Sequence, residues 1–302
     1  MLDHEFEILP SDKATKGYVF GIGRKVSVED DGFKPGERSW LTQDAQNVRR
    51  GVTAFGRDVE AGQTWSWDAF INGESEEDVR AIWNGFSEAW TNPEIYGQPS
   101  QIQRLRYQWG GETRCVFGRP RKLSAAPTNQ ILSGLMMLSC DFVTVDGQTY
   151  SDEEYTVNMD ARAGVVGGSG NIKFPVKFPL TVPRVVDKVG SNSLQVGGDA
   201  KTFPIVTFYG PFVNPSLVTD DWELAWDGSI KAGESVRIDC RPWQLKVLWG
   251  TGASAVQGLA PNTWLEDCYL KPGRITQCDV GGLAPGGGGY VSVSWRNAWQ
   301  SW

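Results

Sequence analysis

At 302 residues, with 40% apolar and 22% charged side chains, the chain has the composition of a globular protein long enough for two cores. A net charge of −7 and a pI near 5.0 argue against general nucleic-acid binding, and no apolar run reaches the length of a membrane span. His4 is the only histidine and the five cysteines, Cys115, Cys140, Cys240, Cys268 and Cys278, include no C-x-x-C pair, which disfavours imidazole-dependent catalysis, a His-based zinc site and a disulfide framework.

The N-terminal stretch MLDHEFEILP has neither a basic start nor an apolar run, so no export signal is expected. Residues 1–62 are rich in turns. Short strands are expected at Phe6–Leu9 and Tyr18–Val28, followed by turn signals at Asp31-Gly32 and Pro35-Gly36, and the whole reads as a long loop or arm. Trp65, Trp67 and Ala69 then alternate with Ser66 and Asp68, the period of a half-buried strand. Val79, Ile82, Trp83, Phe86 and Trp90 recur at the spacing of one helix face. Ser75 stands at the N-cap, Glu76, Glu77 and Asp78 suit the positive end of the helix dipole, and Pro93 ends the helix. A second strand is expected where Leu105, Tyr107 and Trp109 alternate with Arg104, Arg106 and Gln108, and a third over Leu132–Thr144.

From Asp146 to Ile172 the composition shifts to glycine, serine and acidic residues, including Gly164, Gly167, Gly168 and Gly170, which reads as a connector. Beyond it helical periodicity vanishes and short alternating strands recur at Ile205–Tyr209, Val236–Cys240, Leu245–Trp249, Trp264–Leu270, Ile275–Val280 and Val291–Trp295, the pattern of a β-sandwich. The fold class is therefore mainly β: an α+β first domain over 1–150, a connector over 151–172 and a β-sandwich over 173–302. The cysteines suit buried reduced thiols, with Cys268 and Cys278 on neighbouring candidate strands as the one pair that could cross-link.

Site chemistry is sparse. The glycine run from Gly164 to Lys173 lacks the spacing and the Lys-Ser/Thr pair of a phosphate loop, and Gly21-Ile22-Gly23 lacks the third glycine of a dinucleotide fingerprint. Asp220, Asp221, Glu223 and Asp227 lie beside Trp222 and Trp226, a weak signal for glycoside hydrolysis and a better one for sugar stacking on the two indoles. No catalytic, metal or cofactor residue is assigned. From Gln101 to Ala125 six basic residues, among them Arg104, Arg106, Arg119 and Arg121, face only Glu112, so this segment carries +5 and the rest of the chain −12. Such a patch is either solvated or meets an acidic neighbour. Arg119 and Arg121 flank Pro120, which stiffens their strand and makes them candidate contact residues.

In order and spacing, the motifs Gly56-Arg57-Asp58, Trp65 to Ile71, Ala89-Trp90, Leu105-Arg106-Tyr107, Gly118-Arg119-Pro120-Arg121, Cys140-Asp141-Phe142, Gly210-Pro211, Ala232-Gly233-Glu234, Leu270-Lys271-Pro272-Gly273 and Ser294-Trp295-Arg296-Asn297-Ala298-Trp299 resemble those of the distal tail proteins, or minor tail proteins, of long-tailed siphovirus-type bacteriophages. The resemblance covers most of the chain except Leu2–Arg50 and Thr181–Thr202. It implies a virion tail-tip component, made and assembled in the host cytoplasm, whose sandwich-like first domain builds a homo-oligomeric ring, typically a hexamer. That ring would join the tail tube protein to the tail-tip hub protein, near the tape measure protein, while a galectin-like or carbohydrate-binding-module-like second domain points outward. The other class in play is a carbohydrate-binding module or glycan hydrolase acting on host surface carbohydrate, in which Trp222 and Trp226 would touch sugar.

Overall fold

The computed structural model describes residues 1–47, 51–56, 58–160, 192–285 and 288–301. The chain divides into two units. One comprises Met1–Asp152 together with Trp299 and the residues after it, and the other is Glu153–Ala298.

Seven strands of the first unit form the main path of one antiparallel sheet, in the order Tyr18–Gly21, Glu5–Leu9, Gln103–Trp109, Glu112–Ala126, Leu135–Thr144, Thr64–Asn72 and Val26–Lys34, with Thr149–Ser151 paired beside Glu112–Ala126. Trp65, Trp67, Ala69 and Ile71 project from one face of Thr64–Asn72 and are fully buried, as their alternation with polar residues requires. The helix Glu76–Trp90 packs on that face through Val79, Phe86 and Trp90, each contributing roughly 2 kcal/mol of gross burial. Its N-cap is Ser75, whose hydroxyl accepts the Asp78 N–H at 3.2 Å, and its C-terminal end is tied to the sheet by Trp90 Nε1 donating to the Lys122 carbonyl at 2.9 Å. Phe20 meets Trp67, Phe86 and Trp90, and Trp67 meets Trp90, edge to face at centroid separations of 5.5 to 6.0 Å, a packing that favours the ring quadrupoles, while Phe86 and Trp90 lie tilted at 5.3 Å.

The expected strand Leu132–Thr144 begins at Leu135, because Asn129–Ser133 form a 3-10 turn closed by Gly134 at φ +82°. A side chain at Gly134 would strike the Gly73 carbonyl. Likewise Pro93 both stops the long helix and starts a short one, Pro93–Tyr96, since a proline costs nothing at the first helical position.

In the second unit two five-stranded antiparallel sheets face each other. One runs Tyr155–Asp160, Tyr290–Trp295, Ile205–Tyr209, Ser235–Asp239, Lys246–Trp249. The other runs Ser193–Gln195, Ile275–Leu283, Phe212–Thr219, Glu223–Ala225, with Ser229–Ile230 beside Phe212–Thr219. Val206, Phe208, Val291 and Val293 from the first meet Leu194, Leu217, Leu224 and Val280 from the second in one core, so the expected sandwich is present.

The structure departs from the expected elements at Tyr155–Asp160 and at Trp264–Leu270. Tyr155–Asp160, assigned to the connector, is a strand paired with Tyr290–Trp295. The alternation of Tyr155, Val157 and Met159 with polar residues outweighs the acidic, serine-rich surroundings. The remainder of the connector, with its glycines, lies outside the described residues. Trp264–Leu270 is no strand but a 3-10 turn at Leu265–Asp267, flanked by Trp264, 71% exposed, and by the buried Cys268. The five cysteines are free thiols, so Cys268 and Cys278 do not pair. The buried Cys268 thiol instead lies within hydrogen-bonding reach of Cys240.

Candidate interaction sites

The basic segment does not form one open patch. Arg104 is 3% exposed and donates to the Ala14 carbonyl at 2.8 Å. Arg106, on the same strand, donates to Asp152 at 2.6 Å, to Glu7 at 3.0 Å and to the Thr15 carbonyl at 3.2 Å. Burial works against the Arg106 charge, but the two carboxylates outweigh it and hold its pKa above the ordinary value. Both arginines therefore clasp the loop after Glu5–Leu9 onto the sheet, and neither is presented to a partner.

Arg119 is also spent internally. Its guanidinium donates to the carbonyls of Gln98, Pro99 and Gln101 and so pins that loop. Arg121 differs. Pro120 pairs with Phe142 and Lys122 with Asp141, leaving Arg121 as the extra residue of a β-bulge, which turns its side chain to solvent. Of the four arginines singled out by charge, Arg121 alone is exposed.

Trp222 and Trp226 are 8% and 4% exposed, and their indole N–H groups are committed to the carbonyls of Tyr269 at 2.8 Å and Ala255 at 3.0 Å. They are core residues and offer no face to a sugar. The neighbouring carboxylates are paired as well, Asp220 with Arg274 at 2.9 Å and Asp221 with Lys271 at 3.1 Å, which suits a solvated sheet edge more than an acid–base pair.

The arm expected before Trp65 carries an exposed apolar surface that no sequence motif announces. Trp40–Leu41 pairs with Val59–Glu60, and Ala45–Asn47 pairs with Val52–Ala54, two short antiparallel pairs in succession along a ribbon-like arm. Along it Trp40, Leu41, Val52, Phe55 and Val59 are 51% to 83% exposed. An isolated two-stranded ribbon is marginal in water, and a row of large apolar side chains on it marks a contact surface. Its root is fixed by Arg38 on Glu60 at 2.7 Å and by Ala61 N–H on the Ser39 carbonyl at 2.9 Å.

No family model matches the chain, and no curated protein matches it. Solved structures do. The crystal structure of SPP1 Dit, described as a paradigm of hub adsorption apparatus in Gram-positive infecting phages, superposes with a TM-score of 0.58 at 12% identity, covering 97% of this chain and 98% of that one. The chain shares the fold of SPP1 Dit. A chain of the phage P2 baseplate in its activated conformation with Ca gives 0.56 at 11% identity, covering 96% and 97%, and the same baseplate with Sr gives 0.56 at 12% with the same coverage. The Dit-like fold thus extends over both units, and the mainly β class expected from the sequence is the one observed.

Proposed function

We propose that the chain is a non-enzymatic structural subunit of a phage tail tip, located in the virion, whose copies close into a ring of six between the tail tube and the tail-tip hub. The observation that carries this reading is the near-complete coverage of SPP1 Dit by a single chain, both units included. The apolar ribbon supports it independently. In a ring each subunit repeats one heterologous contact, and a projecting arm with Phe55 and Trp40 exposed is suited to lie against the neighbouring copy. Arg121, on the bulge, is the residue of the basic segment left to meet an acidic neighbour, and the tail tube, hub and tape measure proteins are the partners this role brings. Electron microscopy of the purified chain tests the reading: rings with six-fold symmetry are expected, and open filaments or a compact dimer would contradict it.

A further inference from the structure

The second unit contains a groove of about 650 Å³ between two turns, one at Lys231–Glu234 and one at Trp249–Thr251. Its volume lies within the range of small-ligand sites. One wall is the half-buried Trp249, whose ring is fixed by an edge-to-face contact with the buried Trp226 at 5.1 Å and 86°. The turn beyond it is set by Gly252 N–H on the Trp249 carbonyl at 2.8 Å and Trp249 N–H on the Ala253 carbonyl at 2.8 Å, so the aromatic wall is preorganised. Gly250 N–H bonds the Ser235 carbonyl at 2.7 Å, and a side chain at Gly250 would crowd the Ser235 hydroxyl, so glycine keeps this part of the groove open.

What distinguishes the groove is polar capacity left unused. Many cations among the described residues are paired with carboxylates, as with Arg24 on Glu5, Lys34 on Asp68 and Arg241 on Asp239. No carboxylate among the described residues pairs with the exposed Lys231 ammonium, and none of their acceptors takes the Trp249 indole N–H. Glu234 uses one carboxylate oxygen on the Lys231 backbone N–H at 3.2 Å and keeps the other. Lys231 and Glu234 cancel in charge, which selects against an anion or a cation. A rigid aromatic wall beside donors and acceptors of no net charge matches a ligand with one apolar face and a rim of hydroxyls.

We propose that this groove is a carbohydrate-binding site for one or two neutral pyranose rings, with the C–H face of a sugar on Trp249 and its hydroxyls on Glu234, Lys231 and Ser235. The site is distinct from Trp222 and Trp226, which are internal, and the proposal does not depend on ring assembly.

The test uses the full chain on an array of immobilised glucosyl, galactosyl, rhamnosyl and N-acetylhexosaminyl oligosaccharides, followed by titration of the best binder with tryptophan fluorescence as readout. Saturable binding is expected. Glu234→Gln and Lys231→Ala, both at exposed turn positions, should each weaken it at least tenfold with an unchanged melting temperature, and Trp249→Phe should remove the fluorescence response. Absence of binding to every sugar on the array overturns the proposal, as does binding that Glu234→Gln and Lys231→Ala leave intact. Titration with inorganic phosphate separates the remaining case, since tighter binding of phosphate than of any sugar would make this an anion site and refute the assignment.

Discussion

Arg119 and Arg121 stand two positions apart, yet the bulge between Pro120 and Lys122 gives them opposite tasks. Arg119 holds three loop carbonyls, and hydrogen bonds from a charged donor are worth about 1.5–3 kcal/mol each before the losses shared within a cluster. Arg119→Ala should therefore lower the melting temperature of the first unit by several degrees, whereas Arg121→Glu should leave it within a degree and weaken assembly; thermal melts of both variants beside native mass spectra check the pair. Asp146 offers a pH signature. Desolvation raises its carboxyl to about 6, against the acceptance of the Tyr150 hydroxyl at 2.6 Å and the Gln148 N–H at 3.1 Å, with the Glu60 carboxylate adding to the rise. The folded state thus holds this proton more tightly than the unfolded state does. Its contribution to stability is fully present below pH 3.8 and is lost as pH rises through about 6, a loss of at most about 3 kcal/mol because the residue keeps partial exposure. Asp146→Asn should raise stability at pH 7.5 and flatten that slope in denaturant titrations between pH 4 and 7. The +5 charge of the segment was legible in the sequence, but its use was not: Arg106 meets Glu7 across 99 residues, and no local pattern announces such a partner.

The helix Glu76–Trp90 is the element that sequence described best, because cap, acidic first turn, apolar spacing and terminating proline all agree and each acts locally. Phe86 is fully buried against Phe20 and Trp90. Phe86→Ala should cost about 3–5 kcal/mol in urea unfolding; a loss under 1 kcal/mol would mean that the helix is peripheral to the core. The ribbon was the least legible element. Its apolar residues are spread among Gly, Arg and Asp, and a pattern that is buried only by a second molecule leaves no period for one chain to show. Phe55, 83% exposed, makes no contribution to the monomer's core. Phe55→Asp should leave the melting curve unchanged and abolish higher-order assembly in analytical ultracentrifugation.

Across the whole molecule, the sandwich was readable from evenly spaced strands, and the return of the chain to the first unit was not. The chain leaves the first unit after Asp152 and returns to it at Trp299. There the Arg114 guanidinium lies 4.2 Å over the Trp299 ring, and the Ser301 carbonyl accepts from Thr149 Oγ1 at 2.9 Å. A cut near Ser169 would remove these contacts along with the second unit, so a shortened chain should keep Trp299 onward and replace Glu153–Ala298 by a short glycine–serine link. Such a variant melting cooperatively would establish an independent first core. Native mass spectrometry of the full chain tests ring assembly most directly. Six copies of 33.3 kDa predict a species of about 200 kDa in one closed stoichiometry; a chain that stays monomeric at all concentrations, and forms no ring within isolated tails, would contradict it.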